Sequence, residues 1–240
     1  MRFIIMHKTN AYWEGGAIPD RDLIARVGQL LGEMTKAGVL EAGEGLRSSA
    51  EGVRLRFEAG TRTLTPGPFE GGHELPAGFT ILHSASIDEA VAWATREAEI
   101  LGDVEIDIRP VTEPWDIGMC PPPVDLSTRR YMVLHKATPA SERSQAPTPE
   151  ARIRLSKLID DTIRSGTHIV TETMQPSRRG RRYKNSSTGV TYFDGPMVET
   201  KEMIGGYVVV TAGSLDEACR WAEKYLETVQ SNEVDVRELE

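Results

Sequence analysis

The chain has 240 residues, 39% hydrophobic and 27% charged, a composition that folds around a buried core. Its formal net charge of -8 at pH 7 argues against a nucleic-acid partner, because such affinity rests on clustered Lys and Arg that displace counterions. Two cysteines, Cys120 and Cys219, stand at no metal-ligand spacing, so neither a disulfide framework nor a metal site is expected, and a reducing, cytoplasmic setting is.

In chain order, Phe3 to Met6 is an apolar run of four residues, too short for a signal-peptide core or a membrane span, and reads as a buried first strand over 2–7. Asp20 then caps a helix whose apolar positions Leu23, Val27, Leu30, Leu31 and Met34 recur at helical spacing until Gly38. A strand over 39–46 follows, then a hairpin in which Val53 to Phe57 and Thr61 to Thr65 flank Glu58-Ala59-Gly60. A strand over 78–84 leads into a second helix, and Ser86 with Glu89 forms the Ser-x-x-Glu box that starts helices. The next strand alternates Glu105, Asp107 and Arg109 outward with Ile106 and Ile108 inward, as a sheet covered on one face requires.

The order then repeats. Shifting the chain by 128 residues superposes 1–112 on 129–240 without a gap and gives 27 identities in 112 positions. Arg2, His7 and Lys8 fall on Arg130, His135 and Lys136, Gly67-Pro68 on Gly195-Pro196, and Trp93-Ala94 on Trp221-Ala222. The second copy repeats the first helix with Ile153, Leu155, Leu158, Ile159 and Ile163, and the box with Ser214 and Glu217. Two domains, 1–110 and 129–240, are expected, joined by a spacer over 111–128 that Cys120-Pro121-Pro122-Pro123 keeps extended. Strand, helix, strands, helix, strand is a ferredoxin-like α+β arrangement. Two tandem copies are expected to pair face to face as an intrachain pseudo-dimer with a cavity between their sheets.

Residues Phe193-Asp194-Gly195-Pro196-Met197 followed by Lys201-Glu202 and Gly205-Gly206-Tyr207 resemble the YCII-related family, whose DGPF subgroup carries an Asp-Gly-Pro-Phe turn, Glu-Thr-Lys-Glu and a Gly-aromatic strand. Met1-Arg2-Phe3, Ala42-Gly43-Glu44-Gly45-Leu46 and Ile108-Arg109-Pro110 add to the resemblance in the first copy. The resemblance implies a dimeric α+β barrel, normally built from two single-domain chains, and no settled activity. The copies depart from the pattern in complementary ways. Pro66 replaces the family aspartate in copy one, where Gly71-Gly72-His73-Glu74 stands for Glu-Thr-Lys-Glu. Copy two keeps Asp194, Lys201 and Glu202 but has Thr171-Glu172-Thr173 in place of Gly-Glu-Gly.

Strand parity singles out His7 and His135 at the end of the first strand of each copy, and Glu44 and Glu172 on apolar strand faces, as candidates for proton transfer in the cavity, with Asp194 of the turn beside them. Each has an ordinary reading too: a hydrogen-bonded strand-end imidazole, a carboxylate on backbone amides, an Asp closing its own turn. Trp93, Trp221 and Cys219 read as core, Cys120 as an incidental thiol, and Lys201 with Glu202 as a solvated pair. Arg178-Arg179-Gly180-Arg181-Arg182 is the one strong basic cluster and suits an anionic ligand or an acidic partner. No phosphate loop, nucleophile elbow, haem or flavin motif is present, so no cofactor is expected. Two functions remain. One is a cofactor-independent lyase or isomerase acting on a small molecule by His/carboxylate chemistry. The other is a non-catalytic ligand-binding or regulatory module, such as the partners of extracytoplasmic-function sigma factors that DGPF-type proteins resemble. A protein partner or a homodimer fits either, and a membrane fits neither.

Overall fold

The computed structural model describes residues 1–72, 74–197 and 201–240, so His73, read above as part of the family pattern, and Val198 to Thr200 lie outside it. The first half runs β1 (Arg2–Lys8), α1 (Ala11–Glu14), α2 (Arg21–Lys36), β2 (Leu40–Gly45), β3 (Val53–Glu58), β4 (Thr61–Pro66), β5 (Pro76–Ser84), α3 (Ile87–Leu101) and β6 (Val104–Pro110). The second half runs β7 (Arg129–Lys136), α4 (Pro139–Glu142), α5 (Pro149–Arg164), β8 (His168–Thr173), β9 (Gly180–Ser186), β10 (Gly189–Asp194), β11 (Ile204–Thr211), α6 (Leu215–Val229) and β12 (Glu233–Glu238).

The helices begin where their side chains can satisfy the first free amides. Asp20 accepts from Leu23 N, and Ser86 and Ser214 accept from the amides of Glu89 and Glu217. The two glutamates reach back to Ala85 N and Gly213 N, one residue before the position the box was expected to use.

The chain forms an α+β fold of two compact units, and neither coincides with residues 1–110 or 129–240. The first comprises Met1–Gly45, Gly71–Glu74 and Met174–Glu240, the second Leu46–Glu70 and Leu75–Thr173. Each holds one six-stranded antiparallel sheet, ordered β10-β9-β12-β1-β11-β2 in the first and β4-β3-β6-β7-β5-β8 in the second. Neither sheet closes on itself. The four strands β12-β1-β11-β2 follow the ferredoxin-like order, but β1 and β2 come from one repeat and β11 and β12 from the other. The same exchange builds β6-β7-β5-β8. It keeps β6 and β7, which follow each other in the chain, as antiparallel neighbours, the commonest relation between consecutive strands.

The core of the first unit packs Phe3, Ile5, Val208, Val210, Val234 and Val236 of the sheet against Leu30 and Met34 of α2 and Ala218, Cys219, Ala222 and Leu226 of α6. In the second unit Leu55, Leu82, Ile106, Ile108, Tyr131 and Val133 pack against Ala90, Trp93, Ala94 and Ala98 of α3 and Leu158 of α5. Two expectations are corrected. The face of β6 expected to meet solvent is sealed: Asp107 and Arg109 are 3% and 4% exposed. They are accommodated because Arg54 and Lys136 neutralise Asp107 and Arg109 donates to the Arg47 carbonyl. The apolar stripe of α5 is narrower than its periodicity suggests, since Ile153 and Ile163 are exposed while Leu158 is buried.

Candidate functional site

Along β7 the alternation puts Tyr131 and Val133 into the core beneath α3, and His135 continues that row one step past the apolar residues. On α3 the buried side runs through Ala90, Trp93, Ala94, Glu97 and Ala98, so helical spacing places the Glu97 carboxyl beside the imidazole. His135 Nδ1 lies 3.9 Å from Glu97 Oε1. His135 Nδ1 and Glu97 Oε2 are both buried, and neither makes a hydrogen bond among the described residues. The His135 side chain is nonetheless 19% exposed, so side-chain atoms other than Nδ1 reach solvent.

The neighbouring strands give the ring its place. His135 stands opposite Gly78 of β5 and Ile106 of β6. A Cβ at Gly78 would lie 2.7 Å from Cε1 and 2.8 Å from Nε2 of the imidazole, and 2.6 Å from the Glu172 carbonyl. Only glycine leaves room for the ring at this spot.

Burial acts oppositely on the two groups, because each is penalised for carrying charge. It pushes the His135 imidazole down to about 4 and the Glu97 carboxyl up to about 8. Around neutral pH the pair is therefore an uncharged imidazole facing a protonated carboxyl, with one transferable proton between them. A separation of 3.9 Å is outside hydrogen-bond range, and a movement of about 1 Å closes it, as catalytic hydrogen bonds do on ligand binding.

The first unit carries the same arrangement with different chemistry. His7 stands opposite Gly206 of β11 and Val234 of β12, and a Cβ at Gly206 would lie 2.7 Å from its Cε1. Its Nδ1 is hydrogen-bonded at 2.8 Å to the hydroxyl of Tyr225, which sits 128 residues beyond Glu97. The rings meet edge to face, with centroids 5.5 Å apart. Burial raises the phenol above its ordinary value, so Tyr225 holds its proton while the second unit offers a carboxylic acid.

The glutamates expected to partner these histidines face elsewhere. Glu44 stands opposite Tyr207 and Glu172 opposite Phe79, each one residue out of step with the row that carries the imidazole. Side chains in adjacent positions of a strand point to opposite faces, so neither His7 and Glu44 nor His135 and Glu172 come together. The imidazoles face the helices, and the proton partners are Tyr225 and Glu97.

The opposite face of each sheet carries a buried ion network. In the first unit Lys8 Nζ is 3.1 Å from Asp235 Oδ2, and Arg182 Nε is 3.2 Å from Glu233. Arg182 Nη2 also donates to Asp235 at 2.7 Å. Burial raises the Asp235 carboxyl, but Lys8 and Arg182 more than offset it and hold it at about 2. In the second unit Lys136 and Arg54 hold Asp107 at 2.9 Å and 2.6 Å, and Arg54 also approaches Glu105 at 3.5 Å. Every carboxylate in these networks is paired with a cation, which suits fixing the sheet more than holding a charged ligand.

Asp194, at the end of β10, is exposed and paired at 2.7 Å with Arg181, which also donates to Asp216 at 3.0 Å. The basic run is engaged as well: Arg179 pairs with Glu238 at 2.7 Å and Arg182 belongs to the buried network. Among the described residues, no group of three or more His, Cys, Asp and Glu side chains is placed to hold a metal ion, and no helix is long and apolar enough to cross a membrane.

Sequence reasoning singled out both histidines and missed Glu97, Tyr225 and Gly78. One signal was available: Glu97 is three and four residues from Ala94 and Trp93, on the apolar side of its helix, where a carboxyl is rare. In comparisons with known proteins, residues 129–239 match the model of the YCII-related domain. No curated protein and no solved structure matches the chain.

Proposed function

With residues 129–239 belonging to the YCII-related domain family, we propose that this chain performs cofactor-independent acid–base chemistry on a small molecule, of lyase or isomerase type, at His135 and Glu97. The observation that carries the reading is the pair itself: two buried groups with opposite shifts, hydrogen-bonding atoms left open, and a histidine side chain partly open to solvent. Nδ1 exchanges a proton with Glu97 while the solvent-facing part of the His135 side chain meets the substrate. His7, held by a phenol, is the structural counterpart.

The alternative, a non-catalytic module that recruits an acidic partner through Arg178 to Arg182, is weaker, because Arg179, Arg181 and Arg182 are already bound to carboxylates. Each unit supplies the ferredoxin-like strand order by itself.

The test follows solvent deuterium entering the α-carbons of cyclohexanone by proton NMR, a general readout of reversible proton abstraction next to a carbonyl. The full chain is expected to catalyse exchange, His135→Asn and Glu97→Gln to lower it by about 100-fold or more, and His7→Asn to leave it within about twofold. Exchange no faster than in buffer, or equal losses on changing His7 and His135, would overturn the assignment.

A further inference from the structure

The charged strand residues nearest His135 stand on the other face of the sheet. Lys136, Asp107, Arg54 and Glu105 all project from the face opposite His135, where Asp107 binds both cations. On the His135 face the flanking strand positions are Gly78 and Ile106, and α3 adds Trp93, Ala94 and Ala98 around Glu97. Of the cations near α3, Arg96 lies 3.9 Å and Lys157 2.9 Å from Asp161, and Arg62 of β4 donates to Thr95. Asp103, in the connection from α3 to β6, accepts from the Ala59 amide.

We propose that the His135–Glu97 pair serves a small uncharged ligand bearing a carbonyl or hydroxyl oxygen, an inference that rests on the acid–base reading of the same pair. A carboxylate or phosphate entering beside His135 would leave water for uncharged strand neighbours, Gly78 and Ile106, and a carboxyl beside the ring. An ammonium would need Glu97 ionised to balance it, which burial between α3 and the sheet opposes. An uncharged molecule avoids both costs. In the first unit Tyr225 occupies the Nδ1 position that Glu97 faces in the second, so a phenol replaces the carboxylic acid beside that ring.

Binding separates this inference from the catalytic reading. The probes are cyclohexanone, 4-oxocyclohexanecarboxylate and 4-piperidone, which share a ketone and differ in carrying no charge, a negative charge or, at neutral pH, a positive one. Each is titrated into the full chain labelled with ¹³C at histidine, and the Cε1–H signal of His135, assigned by its loss in His135→Asn, is followed. Cyclohexanone is expected to move that signal with an apparent affinity at least about tenfold tighter than either charged ketone. Equal or tighter binding of a charged ketone, or no shift with any of the three, would overturn the inference. Deuterium exchange without this discrimination would sink the ligand class and keep the acid–base role. Discrimination without exchange would do the reverse.

Discussion

Burial holds a proton on Glu97 that the unfolded chain releases near its ordinary value of 4.5, and the difference is a dependence of stability on pH. The folded carboxyl titrates at about 8, above its unfolded value, so its contribution is complete below pH 4.5 and is lost as the pH rises through 8. His135 runs the other way: its folded value of about 4 lies below 6.5, so its contribution is complete above 6.5 and is lost as the pH falls through 4. Between 4.5 and 6.5 each state binds one proton at the pair, carried by Glu97 when folded and by His135 when unfolded, and the slopes cancel. Above 6.5 only the carboxyl contributes, at about 1.4 kcal/mol per pH unit, or about 2 kcal/mol by pH 8. Denaturant unfolding at pH 6.5 and pH 8 should therefore show a loss of about this size in the wild type that is absent from Glu97→Gln. The same loss in both proteins would mean that Glu97 is ionised in the fold and cannot supply the proton assigned to it.

Helix identity and start were legible because they depend on local chemistry, and Asp20, Ser86 and Ser214 act as the caps their sequence positions imply. What each helix buries was less legible, because an apolar stripe does not show how much of itself finds a partner; Ile153 and Ile163 follow the period of α5 and stay exposed. Part of what joins α5 to its neighbour is polar. Trp93 Nε1 donates to Thr162 Oγ1 at 2.8 Å, and that hydroxyl donates in turn to the Leu158 carbonyl at 2.7 Å. The positions 128 residues away, Trp221 and Met34, cannot repeat the bond, and the ammonium of Lys224 instead lies 4.7 Å from the Trp221 ring. Thr162→Val keeps the shape and strands a buried indole N–H, so it should cost about 1–3 kcal/mol in denaturant unfolding, while Thr162→Ser stays near wild type. A Val variant as stable as the Ser variant would show that apolar packing alone fastens α5 to α3.

At the scale of the whole molecule, the 27 identities between residues 1–112 and 129–240 could be read from the sequence and the exchange of strands could not. Strand pairing is chosen by alternation and register, and the two repeats offer nearly the same alternation: Phe3, Ile5 and His7 have Tyr131, Val133 and His135 as counterparts. A first strand therefore finds equivalent neighbours in either copy, and no residue of its own decides between them. The connection over 111–128 favours one outcome, since it returns the chain from β6 to β7 within a single sheet and is fastened there by Arg130, which binds Glu113 through two 2.8 Å hydrogen bonds. The result is that β1 pairs with β11, with Arg2 opposite Thr211, across the whole length of the chain. Arg2→Cys with Thr211→Cys places two cysteines at facing positions of neighbouring strands, within the span a disulfide bridges. After oxidation, cleavage in the exposed stretch around Met119 and Val124 should leave both halves in one band on a non-reducing denaturing gel and release them on reduction. Two separate bands before reduction would mean that each repeat keeps its own strands. Glu97 and His135 would then belong to different compact units, and the proton pair would lose its physical basis.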